Sequence, residues 1–438
     1  MIRTNNNFLR LTIAAVMLMV MASTAIIPAL AYPNNFSEGT GVDKQAAAAI
    51  TKILKMPIGT NIPSADFVFE FKAKSADGET ATTANMPEIR DITIKFDNNT
   101  PATESSIKVA WLESEDIKTY LTSSFPHAGE FIYTVTEKEK TYDISTQNKE
   151  KEWMVYSKAS YDITFIVDHD KNNGDALYVR YIVAERTITD DGGTPGTEKV
   201  DPTPGSERED VEYSQLIFTN IYSKTNGGGP EKPGETSLEI SKKVKGDGAR
   251  QDIYFKFDVS IKTAEIGHTL EKYAAYVVNE DGSVVSNITA NNISTPAIDI
   301  GSHAGNQYFL IVPGESNVYT IGLKHNQRLV FVNLEVGMSF TLNEQAANGY
   351  KAGYKLILNG VDPTVEKKND SVNQALAVEA PGGKAYIGEA KNSVDYENER
   401  DIQTPTGLDV SELPYMLLMG MAAAALVGFV AIKSRKKV

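Results

Sequence analysis

Lysine, glutamate and asparagine recur in the same order in each half of the chain, each where an apolar side chain is expected. In SLEISKKVKGD, Leu238, Ile240 and Val244 share one face of a strand read with period two, and Lys242 lies in the same phase. ITKIL repeats the arrangement, with Lys52 between Ile50 and Leu54. Phe131, Tyr133 and Val135 lead in phase to Glu137, and Met338, Phe340 and Leu342 lead to Glu344. Leu216 and Phe218 lead to Asn220, as Val394 and Tyr396 lead to Asn398. An unpaired ammonium in an apolar core is very costly. Either the register breaks, or the lysine stem snorkels to the surface, or the lysine is no longer an amine.

The last alternative needs this trio. Isopeptide formation requires a neutral amine, and burial lowers a lysine pKa. The asparagine carboxamide is the electrophile, and a nearby glutamic acid polarises its carbonyl. The burial that deprotonates lysine also raises the glutamate pKa, keeping the acid protonated and able to shuttle protons. The amine attacks the side-chain carbon and ammonia leaves. Three unfavourable polar burials become one neutral cross-link between the first and last strands of a domain.

Those strands belong to an all-β chain. At 438 residues, with 9% aromatic and 23% charged residues, there is length for two or three domains with real cores. The net charge of −14 argues against nucleic acid as a partner. The absence of cysteine excludes disulfides and thiolate-bound metal, so an extracellular domain would need another staple. TNGGGPEKPGET, residues 225–236, reads as a linker. On either side, alternating runs such as DFVFEFKAK, EFIYTVTE, IYFKFDVSIK and MSFTLNE predict two tandem Ig-like β-sandwiches, over 46–224 and 237–400. AAAAITKIL has brief helical character, and 187–212 reads as a long mobile loop.

Both ends carry addresses. Arg3 and Arg10, an apolar run and Ala29-Leu30-Ala31 predict a secretory signal peptide over 1–31. Residues 413–432 are apolar enough to span a bilayer, and Lys433, Arg435, Lys436 and Lys437 would hold that end in the cytoplasm. The chain between is then outside the cell.

Other chemistry is scarcely signalled. The five histidines show no metal-ligand spacing. DHDKNNGD from Asp168 has a calcium-loop flavour, but its glycine is one place late, and a hairpin turn is the expectation. No cofactor site and no enzyme active site is read, beyond the single-turnover cross-linking.

Gln403-Thr404-Pro405-Thr406-Gly407, a polar spacer, an apolar helix and a basic tail resemble the cell-wall sorting signal of Gram-positive surface proteins. The commonest signal begins with leucine; a polar first residue resembles pilus subunits of the streptococcal FctA type. That resemblance implies sortase cleavage between Thr406 and Gly407 and transfer of the threonyl group to an amine. With the two trios it extends from Ala46 to the C-terminus, in the manner of the pilin isopeptide-linkage domains. It implies one bond from Lys52 to Asn220 with Glu137, and another from Lys242 to Asn398 with Glu344. The implied partners are a sortase, further copies of the chain, other pilins and peptidoglycan, with the membrane involved only before cleavage. A polymerising subunit also needs an acceptor lysine, for which Lys199 and Lys224 are candidates; no clear Tyr-Pro-Lys pilin motif is present. The resulting expectation is a structural subunit of a cell-surface pilus, the alternative being a wall-anchored monomeric adhesin.

Overall fold

The computed structural model describes residues 35–82, 85–142, 152–196, 198–207, 212–229, 238–294, 297–400 and 413–435. The expected signal peptide, the QTPTG pentapeptide and residues 230–237 of the linker region lie outside them. Among the described residues the chain is all-β apart from short 3-10 turns and one helix, and forms two tandem β-sandwiches. Each is built from one eight-stranded and one five-stranded sheet.

Period-two patterning drives these strands. Ile92–Phe96 alternates strictly between buried and exposed positions, and Phe131–Glu137 between buried and partly buried ones. The inward sets form two separate apolar cores. One includes Leu54, Phe67, Phe69, Phe131, Tyr161 and Phe218; the other includes Ile240, Phe255, Phe257, Phe340, Tyr354 and Tyr396.

In the first sandwich the strand Thr51–Pro57 lies beside Ile217–Lys224 and runs parallel to it, although they are the first and last long strands of that half. Ile107–Glu113 flanks the former and Glu152–Val155 the latter, both antiparallel. The second sandwich repeats the plan: Leu238–Lys245 runs parallel to Ser393–Arg400, between Arg328–Phe331 and Tyr350–Leu358. In both halves the partner sheet contains a phenylalanine-bearing strand, Ala65–Ala76 or Phe255–Lys262. Beside it runs an antiparallel strand ending in glutamate, Gly129–Glu137 or Ser339–Glu344.

Several local expectations change. Ala46–Ala49 is not helical: it is irregular and buried, with Ala46 N–H bonding Val179 C=O and Ala49 N–H bonding Pro202 C=O. Within 187–212, Glu198–Val200 is a strand paired with Ala184–Arg186, so tertiary pairing captures part of the expected loop. The expected hairpin turn after Asp170 is present; Asp168 and Asp170 end the strand before it, with Arg180 on Asp168 and Val42 N–H on Asp170.

The expected linker begins by packing against the second sandwich. Asn226 N–H donates to Leu334 C=O and Asn333 N–H to Gly227 C=O, at 2.9 and 3.1 Å. Nearby, Trp153 stacks on His268 with ring centroids 3.8 Å apart, and Asn61 donates twice to the Glu389 carboxylate. Gly337 has φ 84°, and a Cβ there would lie 2.5 Å from Pro57 Cβ. Both its backbone conformation and that close approach favour glycine. The helix Leu413–Arg435 contains a 20-residue stretch, Pro414–Lys433, long and apolar enough to cross a membrane.

Candidate functional site: two buried lysine–glutamate–asparagine clusters

Lys52 is fully buried because its strand is central and covered on both faces. It stands across the parallel ladder from Phe218, and Asn220 stands across from Leu54. Side chains two residues apart share a face, so lysine and asparagine point into the same core on a diagonal. Glu137 enters from the opposite sheet, at the end of its strand. Its Oε2 accepts from Lys52 Nζ at 2.7 Å, and its Oε1 accepts from Asn220 Nδ2 at 2.7 Å.

The second cluster has the same construction. Lys242 is opposite Tyr396, and Val244 is opposite Asn398. Glu344 Oε1 accepts both from Lys242 Nζ at 2.8 Å and from Asn398 Nδ2 at 2.7 Å. All six residues are buried, and in each trio the glutamate lies within hydrogen-bonding distance of the lysine and the asparagine.

A layer of aromatic rings closes each cluster. Lys52 Nζ lies 4.7 Å from the Phe67 ring centroid, and Lys242 Nζ lies 4.5 Å from that of Phe255. Two residues on, Phe69 pairs with Glu137 and packs on Phe218, while Phe257 pairs with Glu344 and packs on Tyr396. A ring face attracts a cation modestly; here the rings act chiefly by excluding water. Burial is the largest influence on every titrating group. It pulls Lys52 below the usual lysine range and Lys242 down to about 8, against the opposing pull of each glutamate. It pushes Glu137 and Glu344 above the ordinary carboxylate range, although the lysine and asparagine contacts pull the other way. Desolvation therefore favours the neutral amine and neutral acid over the ion pair.

The clusters differ in one respect. Asn220 Oδ1 accepts from the main-chain N–H of Ser157 at 2.7 Å. Asn398 Oδ1 and Glu344 Oε2 are both buried without a hydrogen-bond partner among the described residues.

The rings, Ser157 and its neighbour Asp190 were not singled out by sequence. The repeated Phe-x-Phe after each lysine strand, Phe67/Phe69 and Phe255/Phe257, is a signal that could have found the rings. Ser157 acts through its backbone, which no side-chain pattern reveals. Of the two acceptor candidates, Lys199 is exposed on Glu198–Val200, whereas Lys224 pairs with Glu389 at 2.6 Å and its side chain is only 23% exposed. No group of three or more potential metal ligands occurs among the described residues.

A family model described as a domain of unknown function (DUF7601) matches residues 236–380. No curated protein matches. Similar solved structures include the major pilin T3.2 of Streptococcus pyogenes, with 17% identity, 84% of this chain and 100% of that one covered, and a TM-score of 0.30. A further Streptococcus pyogenes major pilin shows 16% identity, coverage of 81% and 99%, and a TM-score of 0.29. The pilus-presented adhesin Cpa shows 14% identity, coverage of 56% and 36%, and a TM-score of 0.22.

Proposed function

We propose that the chain is a structural subunit of a sortase-assembled cell-surface pilus, whose two sandwiches are each closed by an isopeptide bond. The bonds join Lys52 to Asn220 and Lys242 to Asn398, promoted by Glu137 and Glu344. The observation that carries this reading is the duplicated cluster: a buried lysine and asparagine on adjacent parallel strands, with a buried glutamate hydrogen-bonded to both.

The chemistry follows from the protonation states. The neutral amine attacks the carboxamide carbon, Cγ. Its lost proton passes through the glutamate carboxyl to the departing nitrogen, so ammonia leaves and an amide remains. Each carboxyl ends as it began. The link closes roughly 170 residues in the first sandwich and roughly 160 in the second. If the chain-entropy estimate for disulfides transfers, each contributes about 5 kcal/mol. Because it joins the terminal strands, tension along the fibre passes through the bond, which suits a cysteine-free shaft. The sorting-signal resemblance of Gln403–Gly407 and the apolar helix support export, transient membrane retention and sortase transfer from Thr406.

The test is the intact mass of the segment from Tyr32 to Thr406. Two bonds lower it by about 34 Da, about 17 Da for each ammonia expelled. Lys242→Ala should retain half the deficit, and Lys52→Ala likewise. A mass equal to that of the sequence would overturn the reading.

A further inference from the structure

We infer that the first cluster contains a main-chain oxyanion donor, Ser157 N–H, held in place by Asp190, so that its asparagine is activated differently from that of the second. This inference rests on the isopeptide reading above and assigns two further residues to the reaction.

The backbone pairing explains the donor. Glu152–Val155 pairs with the asparagine strand only as far as Val155 opposite Ile221. The chain then leaves the ladder, and Ser157 N–H turns onto the Asn220 side chain. In the second sandwich the corresponding neighbour keeps pairing past the asparagine, from Ala352 opposite Asn398 through Gly353 opposite Glu397 to Ile357 opposite Ser393. Asn398 Oδ1 is consequently left without a donor among the described residues.

Asp190 locks the arrangement. Its Oδ1 accepts from Ser157 Oγ and from the N–H of Thr219, the residue before Asn220, at 2.5 and 2.9 Å. One carboxylate oxygen thus ties the donor loop to the electrophile's strand. The same Ser157 Oγ accepts from Ala159 N–H at 3.0 Å, which tightens the turn.

The consequence is chemical. An N–H can face only an acceptor, so Ser157 fixes the carboxamide with oxygen towards itself and nitrogen towards Glu137. When Lys52 Nζ bonds to Cγ, the C=O electrons move onto Oδ1, where the N–H stabilises them. The Cγ–Nδ2 bond then breaks, and the proton from Nζ reaches Nδ2 through Glu137, releasing ammonia. Donors placed at a developing oxyanion commonly contribute 10²–10³ in rate. Ser157 contacts the reacting oxygen; Asp190 is a positioning residue.

The experiment times both bonds in the full chain made by cell-free translation, quenched in denaturant and assigned by peptide mass. Asp190→Ala and Ser157→Ala should slow the first bond at least about tenfold and leave the second unchanged. Asp190→Asn, which keeps the accepting oxygen, should restore most of the rate. In an Asn220→Ala background, which cannot form the bond, Asp190→Ala should leave the protease resistance of the first sandwich intact. An unchanged first-bond rate, or slowing accompanied by protease sensitivity in that background, would overturn the inference. If the wild-type chain forms neither bond, the isopeptide reading itself fails.

Discussion

Lys242 and Asn398 sit two residues out of register on adjacent parallel strands, and Lys52 and Asn220 repeat that offset. The offset matches the reach of the reactants. Directly opposite side chains have Cβ atoms roughly 5 Å apart, whereas diagonal neighbours are roughly 7–8 Å apart. An extended lysine stem places Nζ about 5 Å from Cβ, so only the diagonal lets the amine meet Cγ without folding back.

Moving the electrophile along its strand should therefore abolish the bond. The double change Tyr396→Asn with Asn398→Ala places a carboxamide directly across from Lys242. The expected product keeps the first mass deficit of about 17 Da and lacks the second. Recovery of the second deficit would show that the register does not matter.

The rings over the amines should set the reaction rate through water exclusion. Phe255→Ala opens space beside Lys242 and should cost about 3–5 kcal/mol of stability before the bond forms. Water entering there lets the ammonium persist, so the second bond should form more slowly while the first is unaffected. Quenched mass measurements over time would reveal this; a second-bond rate equal to that of wild type would count against a role for the ring.

The uncross-linked second sandwich should have its own pH signature. In Asn398→Ala, Lys242 keeps its amine, and burial holds its pKa at about 8 against the usual 10.5. Below pH 8 the full cost of burying the ammonium is present. Between about pH 8 and 10.5 the unfolded chain binds more protons, so stability rises with pH, by up to about 3 kcal/mol. Glu344, raised by burial, acts in the opposite sense: its contribution is complete below pH 4.5 and disappears as pH climbs through the folded value. Wild type, in which the proposed bond would consume the Lys242 amine, should show no alkaline gain. Thermal melts of both proteins across pH 7–11 would test this, parallel curves being the contrary result.

Polymerisation should depend on Lys199 rather than Lys224. The former is exposed on a short strand, while the latter is engaged by Glu389. With a sortase that recognises the signal, Lys199→Arg should eliminate the ladder of covalent multimers on denaturing gels and Lys224→Arg should leave it. The reverse pattern would shift the acceptor to the junction between the sandwiches.

The alternation of apolar residues made both sandwiches and the three strands of each cluster legible. Lys242 was readable because its strand alternates buried and exposed positions from Ile240 to Lys245. Lys52 was harder, because Thr51–Pro57 is buried on both faces and shows no clean period; the parallel in the second half supplied its phase. Ala46–Ala49 misled because small apolar residues suit a helix in isolation, yet hydrogen bonds to Val179 and Pro202 hold the segment out of a helix. Ser157 was invisible for a different reason: its contribution depends on where Glu152–Val155 stops pairing, which is a property of two strands together.

The adjacency of the first and last strands also alters what a protease can accomplish. Once Lys52 is bonded to Asn220, and Lys242 to Asn398, each sandwich is topologically a closed loop rather than an open thread. A cut at an exposed turn, such as the hairpin at 171–175, opens the loop without dividing the molecule. Both pieces would remain on one covalent backbone and migrate together under denaturing conditions. On the proposed reading, only the stretches before Lys52, between Asn220 and Lys242, and after Asn398 are single points of failure, so degradation of a fibre would be decided at the junctions between its beads.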